Sequence, residues 1–377
     1  MLAATNGSST GRIKHLLLIG HDAFNAGAQR TLLCLIAGLQ KQAPDLSLHL
    51  LLLGDGDLKA SFQAFCPTTV VTLKELEEHG GLKSDVACFL QGRSMILGNT
   101  VASLPALLSL RKQCLSKDNY WGIFLQEFPQ TAAGLGQLAA LQQSWTFFDL
   151  ILSPSPLAEE IWKDELGFSS SKIDSSRQHW LMIPDKDDIS LVRGCEFNQP
   201  CPAWPVGSEW RILGFGRDQE SFCRFCEALE SLRDLLPQAG GLWVGPVGQQ
   251  RDGLCVQPTL NVSQALEEAS VFLLTTGGSS KPGETFGLVA AEALSRGCPM
   301  LVSGTPWLGI EYWWPSELRD ELSCLDGSQL IVRVLRVLNG GKKERIRRKI
   351  LAESSMSRID QDWLSGVDAL SAFVLSL

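Results

Sequence analysis

The chain alternates short apolar runs with segments whose apolar residues recur every three or four positions, and it does so twice. In the first half, a run over 15–20 is followed by a loop, an amphipathic helix over 28–40 and a second run over 48–53. Further runs at 70–73, 86–90, 122–125 and 150–153 follow, and 180–184 closes the series. Apolar runs of strand length separated by helical patterns predict a parallel sheet with helices on both faces. Over 186–207 the pattern breaks into charged residues, Cys, Asn and Pro, including Pro200, Pro202 and Pro205. Such a stretch reads as a linker. A second series begins with 211–215 and continues through 242–244, 254–257, 271–275 and 299–302, and the tail over 347–377 is helical in pattern. The expectation is an α/β chain with two Rossmann-like, doubly wound domains facing a central cleft. They would occupy 1–189 and 208–346, joined by a linker over 190–207 and followed by a helical segment over 347–377.

Two carboxylates in the second series call for a common explanation. Glu284 lies in a glycine-flanked turn, and Glu292 lies inside an otherwise apolar helix over 288–294. Gly287 precedes that helix and Gly297 is placed to stop it in the left-handed conformation. With Ala290, Ala291, Ala293 and Leu294 around it, Glu292 is expected to point inward. Burying even a neutral polar group without a partner costs roughly 2–7 kcal/mol, so Glu292 needs one. A pair of ligand hydroxyls would serve, as would a neighbouring Arg or a backbone amide. The amides of 285–288 at the helix N-terminus suit an anion.

In the first series, strand one feeds His21-Asp22-Ala23-Phe24-Asn25-Ala26-Gly27-Ala28-Gln29-Arg30. A loop at the carboxyl end of a first strand faces the ligand crevice of an open sheet. The amides of Gly27 and Ala28 could meet a diphosphate there, with Gly27 permitting close approach of the backbone; an ordinary turn is the alternative.

The order Glu284-Thr285-Phe286-Gly287-Leu288-Val289, then Glu292-Ala293-Leu294 and Gly297-Cys298-Pro299, resembles the donor-site signature of retaining glycosyltransferases of the GT-B fold, glycosyltransferase group 1 or family four. The His-Asp and Gly-Ala-x-Arg order after strand one resembles the same family. This resemblance implies transfer of a sugar from a nucleoside-diphosphate sugar to a hydroxyl of a glycan, lipid or small molecule, with retention of anomeric configuration and no metal. It implies that Glu284, with the amides of Phe286, Gly287 and Leu288, holds the donor sugar and phosphates, and that Glu292 binds the ribose. A sugar-nucleotide epimerase of similar fold and a non-catalytic nucleotide-sugar-binding protein are the competing readings.

The chain departs from the family's pattern at two places. Gln126-Glu127 stands where the family commonly has His-Glu near the reacting sugar, and an amide can bind a hydroxyl but cannot carry a proton near neutral pH. The family's Arg and Lys after the first strand of the second domain are reduced to Arg217, with Asp218 and Glu220 beside it. Arg224 and Lys281 are the candidate replacements. A lost charge-assisted phosphate contact would cost about 10- to 150-fold in affinity. The family's next element, a glycine turn ending in Glu, is matched only loosely by Leu308-Gly309-Ile310-Glu311.

Composition narrows the remaining possibilities. A chain of 377 residues with 45% apolar content can build two ordinary cores. Its longest apolar runs fall well short of the ~20 residues that span a bilayer, and residues 1–10 lack an apolar signal core, so a soluble, unexported, cytoplasmic protein is expected. Eleven scattered cysteines then read as reduced thiols, with Cys223 and Cys226 packing in a helix rather than holding zinc. A net charge of −8 argues against nucleic acid as a partner. The basic run over 342–349 reads first as a solvated helix face and second as a surface that could meet anionic headgroups at the inner face of a membrane.

Overall fold

Two all-parallel sheets account for the two series of apolar runs. The computed structural model describes residues 15–78, 84–91, 93–114, 118–167, 179–185, 200–275, 283–303, 308–323 and 327–376. The first sheet contains β1 (His15–Gly20), β2 (Ser47–Leu52), β3 (Thr68–Val70), β4 (Met95–Asn99), β5 (Tyr120–Phe124), β6 (Leu150–Ser153) and β7 (His179–Met182), in the order β3-β2-β1-β4-β5-β6-β7. The second contains β8 (Trp210–Phe215), β9 (Ala239–Val244), β10 (Leu254–Gln257), β11 (Val271–Leu274) and β12 (Met300–Val302), in the order β10-β9-β8-β11-β12. Central strands such as β4 and β9 are buried along their whole length, because helices cover both faces. In each sheet the chain reverses its winding direction beside the first strand, between β1 and β4 and between β8 and β11. At such a switch, loops from the carboxyl ends of neighbouring strands part and leave a crevice.

The helices that matter for the crevice are α1 (Gly27–Gln42), α2 (Ser84–Gln91), α3 (Pro156–Glu165), α4 (Gln219–Arg233), α5 (Leu288–Ser295) and α6 (Gly327–Ser376). α1 buries Leu32, Leu33, Leu35, Ile36 and Leu39, and α5 buries Ala290, Ala291, Ala293 and Leu294. Small residues let α5 lie close to its neighbours. Gly297 ends it with φ +63°, the left-handed stop that the sequence predicts.

Two strand expectations are corrected. Residues 86–90 belong to the helix α2, and the strand they displace is β4 at Met95–Asn99. Val86, Phe89 and Leu90 are buried, and a short apolar run buried on one side of a sheet cannot be told from a buried strand by periodicity alone. The run at 70–73 divides between the end of β3 and a helix that begins at Leu73.

The C-terminal helix joins the two halves. α6 kinks at Gly341, where φ is +51°, and then runs on to Ser376. Leu330, Val334 and Leu338 pack into the core around β8 and β9, and Ala352 and Ile359 into the core around α5. Farther along, Trp363, Val367, Leu370 and Val374 enter the core of the first sheet beside Leu32 and Leu35 of α1. At Gly366 the helix passes so close to β7 that a Cβ would lie 2.4 Å from the Met182 carbonyl oxygen. Backbone proximity thus requires glycine there.

The basic run is split by this packing. Arg348 is buried and forms a bidentate pair with Glu321, while Arg345 donates to the carbonyls of Leu266 and Ala269. Lys342, Lys343, Arg347 and Lys349 stay exposed. Among the described residues no helix is long and apolar enough to cross a membrane. Cys223 is exposed and Cys226 buried on α4.

Replacing Trp363 by Ala should destabilise the whole chain by about 3–5 kcal/mol, the usual cost of truncating a buried large aromatic. Urea unfolding followed by circular dichroism checks this, and a loss below about 1 kcal/mol would show that α6 does not bind the first sheet as described.

Candidate functional site

The crevice is framed by the carboxyl ends of both sheets. From the first come His21 after β1, Thr100 after β4, Gln126 and Glu127 after β5, Ser155 after β6 and Asp185 after β7. From the second come Arg217 after β8 and the turn containing Glu284 that leads into α5. This turn docks on the first half. The Thr285 hydroxyl donates to the Gln126 carbonyl (2.5 Å), and the Ser155 hydroxyl donates to the Thr285 carbonyl (2.5 Å). Ser155 also caps α3 by accepting from the Ala158 amide.

Behind the turn, the Gly309 amide donates to the Glu284 carbonyl (2.9 Å) and the Ile310 amide to the Phe286 carbonyl. A Cβ on Gly309 would sit 1.8 Å from the Thr285 oxygen. The loose match at 308–311 therefore contains a glycine that the turn needs. Glu311 itself is exposed.

Two helix N-termini open on this region. α1 starts at Gly27 after Ala26, and no side chain caps it. α5 starts after Gly287, which has φ +94° and likewise no capping side chain. First-turn N–H groups have no partner within their own helix and carry the positive end of its dipole, so both ends favour an anion. A side chain on Gly27 would meet nothing within 4 Å, which places its backbone against open space. Gln29, in the same turn, is 3% exposed and donates to Asp22, with its Oε1 lacking a hydrogen-bond partner.

Glu292 lies inside α5 with its side chain 8% exposed, as expected, and one of its protein partners comes from the opposite half. Arg30 of α1 places Nη2 3.4 Å from Oε1 of Glu292. A neighbouring Arg is one of the partners that the sequence allows for Glu292, and the structure supplies an Arg from 262 positions away.

The remaining expected residues divide clearly. Gln126 is buried, and its amide donates to Asn99, whose own amide donates to the Ala28 carbonyl. This chain ties the Gln126 loop to the start of α1. Phe286 is fully buried against Trp313, with ring centroids 5.4 Å apart, so only its backbone can face a ligand. Leu288 is half-buried. Arg217 is exposed and close enough to Glu284 to favour its charged form. Asp218, one of the two acids beside it, accepts from the Ser221 amide and caps α4; the other, Glu220, holds Arg224 in an ion pair. Arg224 is therefore engaged along its own helix. Lys281 lies outside the described residues.

Sequence reasoning assigned no role to Glu127 or Asp185. Burial raises the Glu127 carboxyl to about 7, opposed by the Val101 amide and the Thr100 hydroxyl, with the Asp185 charge adding to the rise. Burial likewise raises Asp185 to about 7, opposed by the Thr31 hydroxyl at 2.8 Å and reinforced by the charge of Glu284. Glu284 is itself raised by burial, with Arg217 opposing. Three carboxyls from three loops thus share one desolvated region. The signal available for Asp185 was its place three residues beyond β7, at the carboxyl edge. Thr100, beside Glu127, has φ +82°, the only positive value among the described non-glycine residues. That conformation costs about 1–3 kcal/mol. It sets the Thr100 hydroxyl 3.1 Å from His21 Nδ1 and the next amide, Val101, on Glu127. No group of three metal-ligating side chains able to hold an ion is present among the described residues.

No family model matches the sequence, and no curated protein matches it. Solved structures do match the fold along nearly the whole chain. One is HepE from Anabaena in complex with UDP-glucose, with TM-score 0.62 and 16% identity over 96% of this chain and 99% of that chain. Another is the E. coli trehalose-6-phosphate structure bound with UDP-2-fluoro glucose, with TM-score 0.63 and 14% identity over 96% and 99% of the two chains. A third is the pneumococcal O-GlcNAc transferase GtfA in complex with UDP and GlcNAc, with TM-score 0.59 and 10% identity over 95% and 99%. These likenesses establish the GT-B fold for this chain.

The raised carboxyls give a stability signature. Between pH about 4 and about 7 the unfolded chain ionises Asp185 while the folded chain keeps it protonated, so its contribution to stability falls as pH rises and levels off above about 7. Asp185→Asn removes that loss and keeps an acceptor for Thr31. Measured by chemical denaturation, the variant should gain on the wild type between pH 4.5 and pH 8, at about 1.4 kcal/mol for each unit of elevation. A stability difference that does not change with pH would contradict the assignment.

Proposed function

We propose that this protein is a glycosyltransferase that moves a sugar from a nucleoside-diphosphate sugar to an acceptor hydroxyl with retention of configuration. The observation that carries this reading is the docking of the Glu284–Gly287 turn on the first half. It sets the uncapped N-termini of α1 and α5, two positive ends, beside Glu284 and Glu292 at one crevice. A ligand with an anionic centre, a ribose on one side and a sugar on the other fits that order of charges.

In this reading Glu292 receives the ribose hydroxyls and Glu284 the hydroxyls of the donor sugar. The amides of Gly27, Ala28, Phe286, Gly287 and Leu288, together with Arg217, surround the diphosphate. Departure of the diphosphate breaks the bond to the anomeric carbon and leaves an oxocarbenium-like sugar. The acceptor oxygen then adds on the face that the diphosphate leaves, and its proton passes to a phosphate oxygen. Stabilising the charge that grows on the leaving group is the dominant contribution of the protein, because fixed N–H groups and a guanidinium act strongly in a desolvated cleft. Gln126 orients a sugar hydroxyl without taking a proton. Lys281 is retained as a second cation of the phosphate site. The acceptor is a hydroxyl of a glycan, a lipid or a small molecule, and the protein works in the cytoplasm.

A second reading, a nucleotide-sugar-binding protein without transfer activity, is favoured by one feature: Arg217 is the only cation in Gly214–Phe222, and Arg224 is engaged by Glu220. Incubation of the best-binding nucleotide sugar with an acceptor panel, followed by NMR of the product anomer, tests both. A retained anomer supports transfer as described, and an inverted one contradicts it. Binding without turnover on any acceptor favours the second reading.

Glu292→Ala should weaken donor binding while leaving the melting temperature near that of the wild type, and Glu292→Gln should be milder because the amide still bonds hydroxyls. Arg217→Ala should weaken diphosphate binding about 10- to 150-fold, the value of one charge-assisted contact. Calorimetric titration beside a melting curve reads these effects. Unchanged donor affinity with a collapsed melting temperature for Glu292→Ala would make that residue structural.

A further inference from the structure

Beyond its kink at Gly341, α6 carries six basic residues and one acid over 342–350, in a chain whose net charge is −8. Packing turns two of those cations inward, Arg348 to Glu321 and Arg345 to the carbonyls of Leu266 and Ala269, and Arg347 is shared with Glu344 at 2.9 Å. Lys342, Lys343 and Lys349 remain exposed, and among them stand Ile346 and Ile350, 61% and 62% exposed. At about 100° of turn per residue, the three lysines and Ile350 fall within about 60° of Ile346. Arg348 lies on the opposite side of the helix and is buried.

A helix face that is only solvated needs no large apolar side chain. Farther along α6 the positions that continue this face, Glu353 and Ser357, are polar and exposed. Two isoleucines four residues apart, flanked by lysines, instead follow the order of a helix that lies on a bilayer. There apolar side chains enter the boundary between headgroups and acyl chains, and long lysine stems carry their charges back to the lipid phosphates. A nucleic acid or other water-soluble polyanion would engage the lysines and leave the isoleucines in water. A side chain on Gly297 would meet the Arg345 carbonyl oxygen at 2.4 Å and Lys349 Cγ at 2.8 Å, so this stretch of α6 crosses the C-terminal end of α5, away from the crevice. Because the chain as a whole is acidic, an anionic surface attracts this face and repels the rest, which fixes the orientation of approach.

We propose that the face of α6 around Ile346 and Ile350 docks on an anionic lipid bilayer, with Lys342, Lys343 and Lys349 on the lipid phosphates and the two isoleucines at the acyl boundary. The attachment is reversible, since two apolar side chains and three charges fall far short of an inserted helix. It does not rest on the donor-site reading, because the face lies at the end of α5 opposite the crevice.

Cosedimentation of the full chain with phosphatidylcholine vesicles, with and without phosphatidylglycerol, tests it on the wild type, on a triple variant Lys342→Gln, Lys343→Gln, Lys349→Gln, and on a double variant Ile346→Ser, Ile350→Ser. The wild type should bind the anionic vesicles, less tightly as salt is added, and leave the neutral ones in solution. The triple variant should bind the anionic vesicles about 100-fold more weakly, at about fivefold for each lysine, and the double variant at least about tenfold more weakly. All five positions are exposed, so both variants should keep the wild-type melting temperature, and Ile350→Ser alone serves should the double variant melt early. Wild-type protein that ignores anionic vesicles overturns the proposal, as does equal binding to neutral ones. Loss of binding in the lysine variant with wild-type binding in both isoleucine variants would assign the face to a soluble polyanion and overturn the bilayer as its partner.

Discussion

The architecture of the cleft depends on one small contact, the seating of Thr285 between Gln126 and Ser155. Its hydroxyl and its carbonyl each form a hydrogen bond with the other half of the molecule, so the turn that begins α5 is fixed relative to the carboxyl ends of β5 and β6. Gly309 makes the seat possible, because any side chain there would collide with the Thr285 carbonyl. Everything the crevice presents follows from that placement: the start of α5 beside the start of α1, Glu292 within reach of Arg30, and Glu284 near enough to Asp185 to raise its carboxyl.

The second constraint is the return of α6. Parallel sheets of this kind carry no connection that would hold two domains at a set angle, and inter-domain motion is the default unless the interface is substantial. Here the helix binds the second core through Val334, Ala352 and Ile359 and the first through Trp363 and Val367. Its buried Arg348–Glu321 pair anchors the middle. The two halves therefore meet at the cleft through polar contacts and at the back through the apolar packing of α6.

Much of this was legible in the sequence because it is local. The alternation of apolar runs located ten of the twelve described strands, with ends shifted by up to three residues, touched β3 at Val70 alone and missed β4, and the apolar surroundings of Glu292 announced its burial. Gly297 was recognisable as a left-handed stop because the chemistry of a helix end is confined to a few residues. Features that depend on distant partners were not legible. Nothing near Glu292 in the sequence names Arg30, and nothing near Asp185 says that two other loops bring carboxylates toward it. The misread helix α2 failed for another reason: its apolar run is as short as a strand and is buried among the same kind of neighbours. Phe286 shows the limit of a motif, which marks a position without telling whether the side chain or the backbone faces the ligand.

The central claim is that the two helix ends and the two glutamates bracket one nucleotide sugar. A crystal structure of the protein with its tightest-binding nucleoside diphosphate tests it most directly. The account predicts density for the phosphates between the amides of Gly27–Ala28 and those of Phe286–Leu288, with the ribose hydroxyls on Glu292. A nucleotide bound away from both helix ends, or one whose ribose leaves Glu292 untouched, would contradict it.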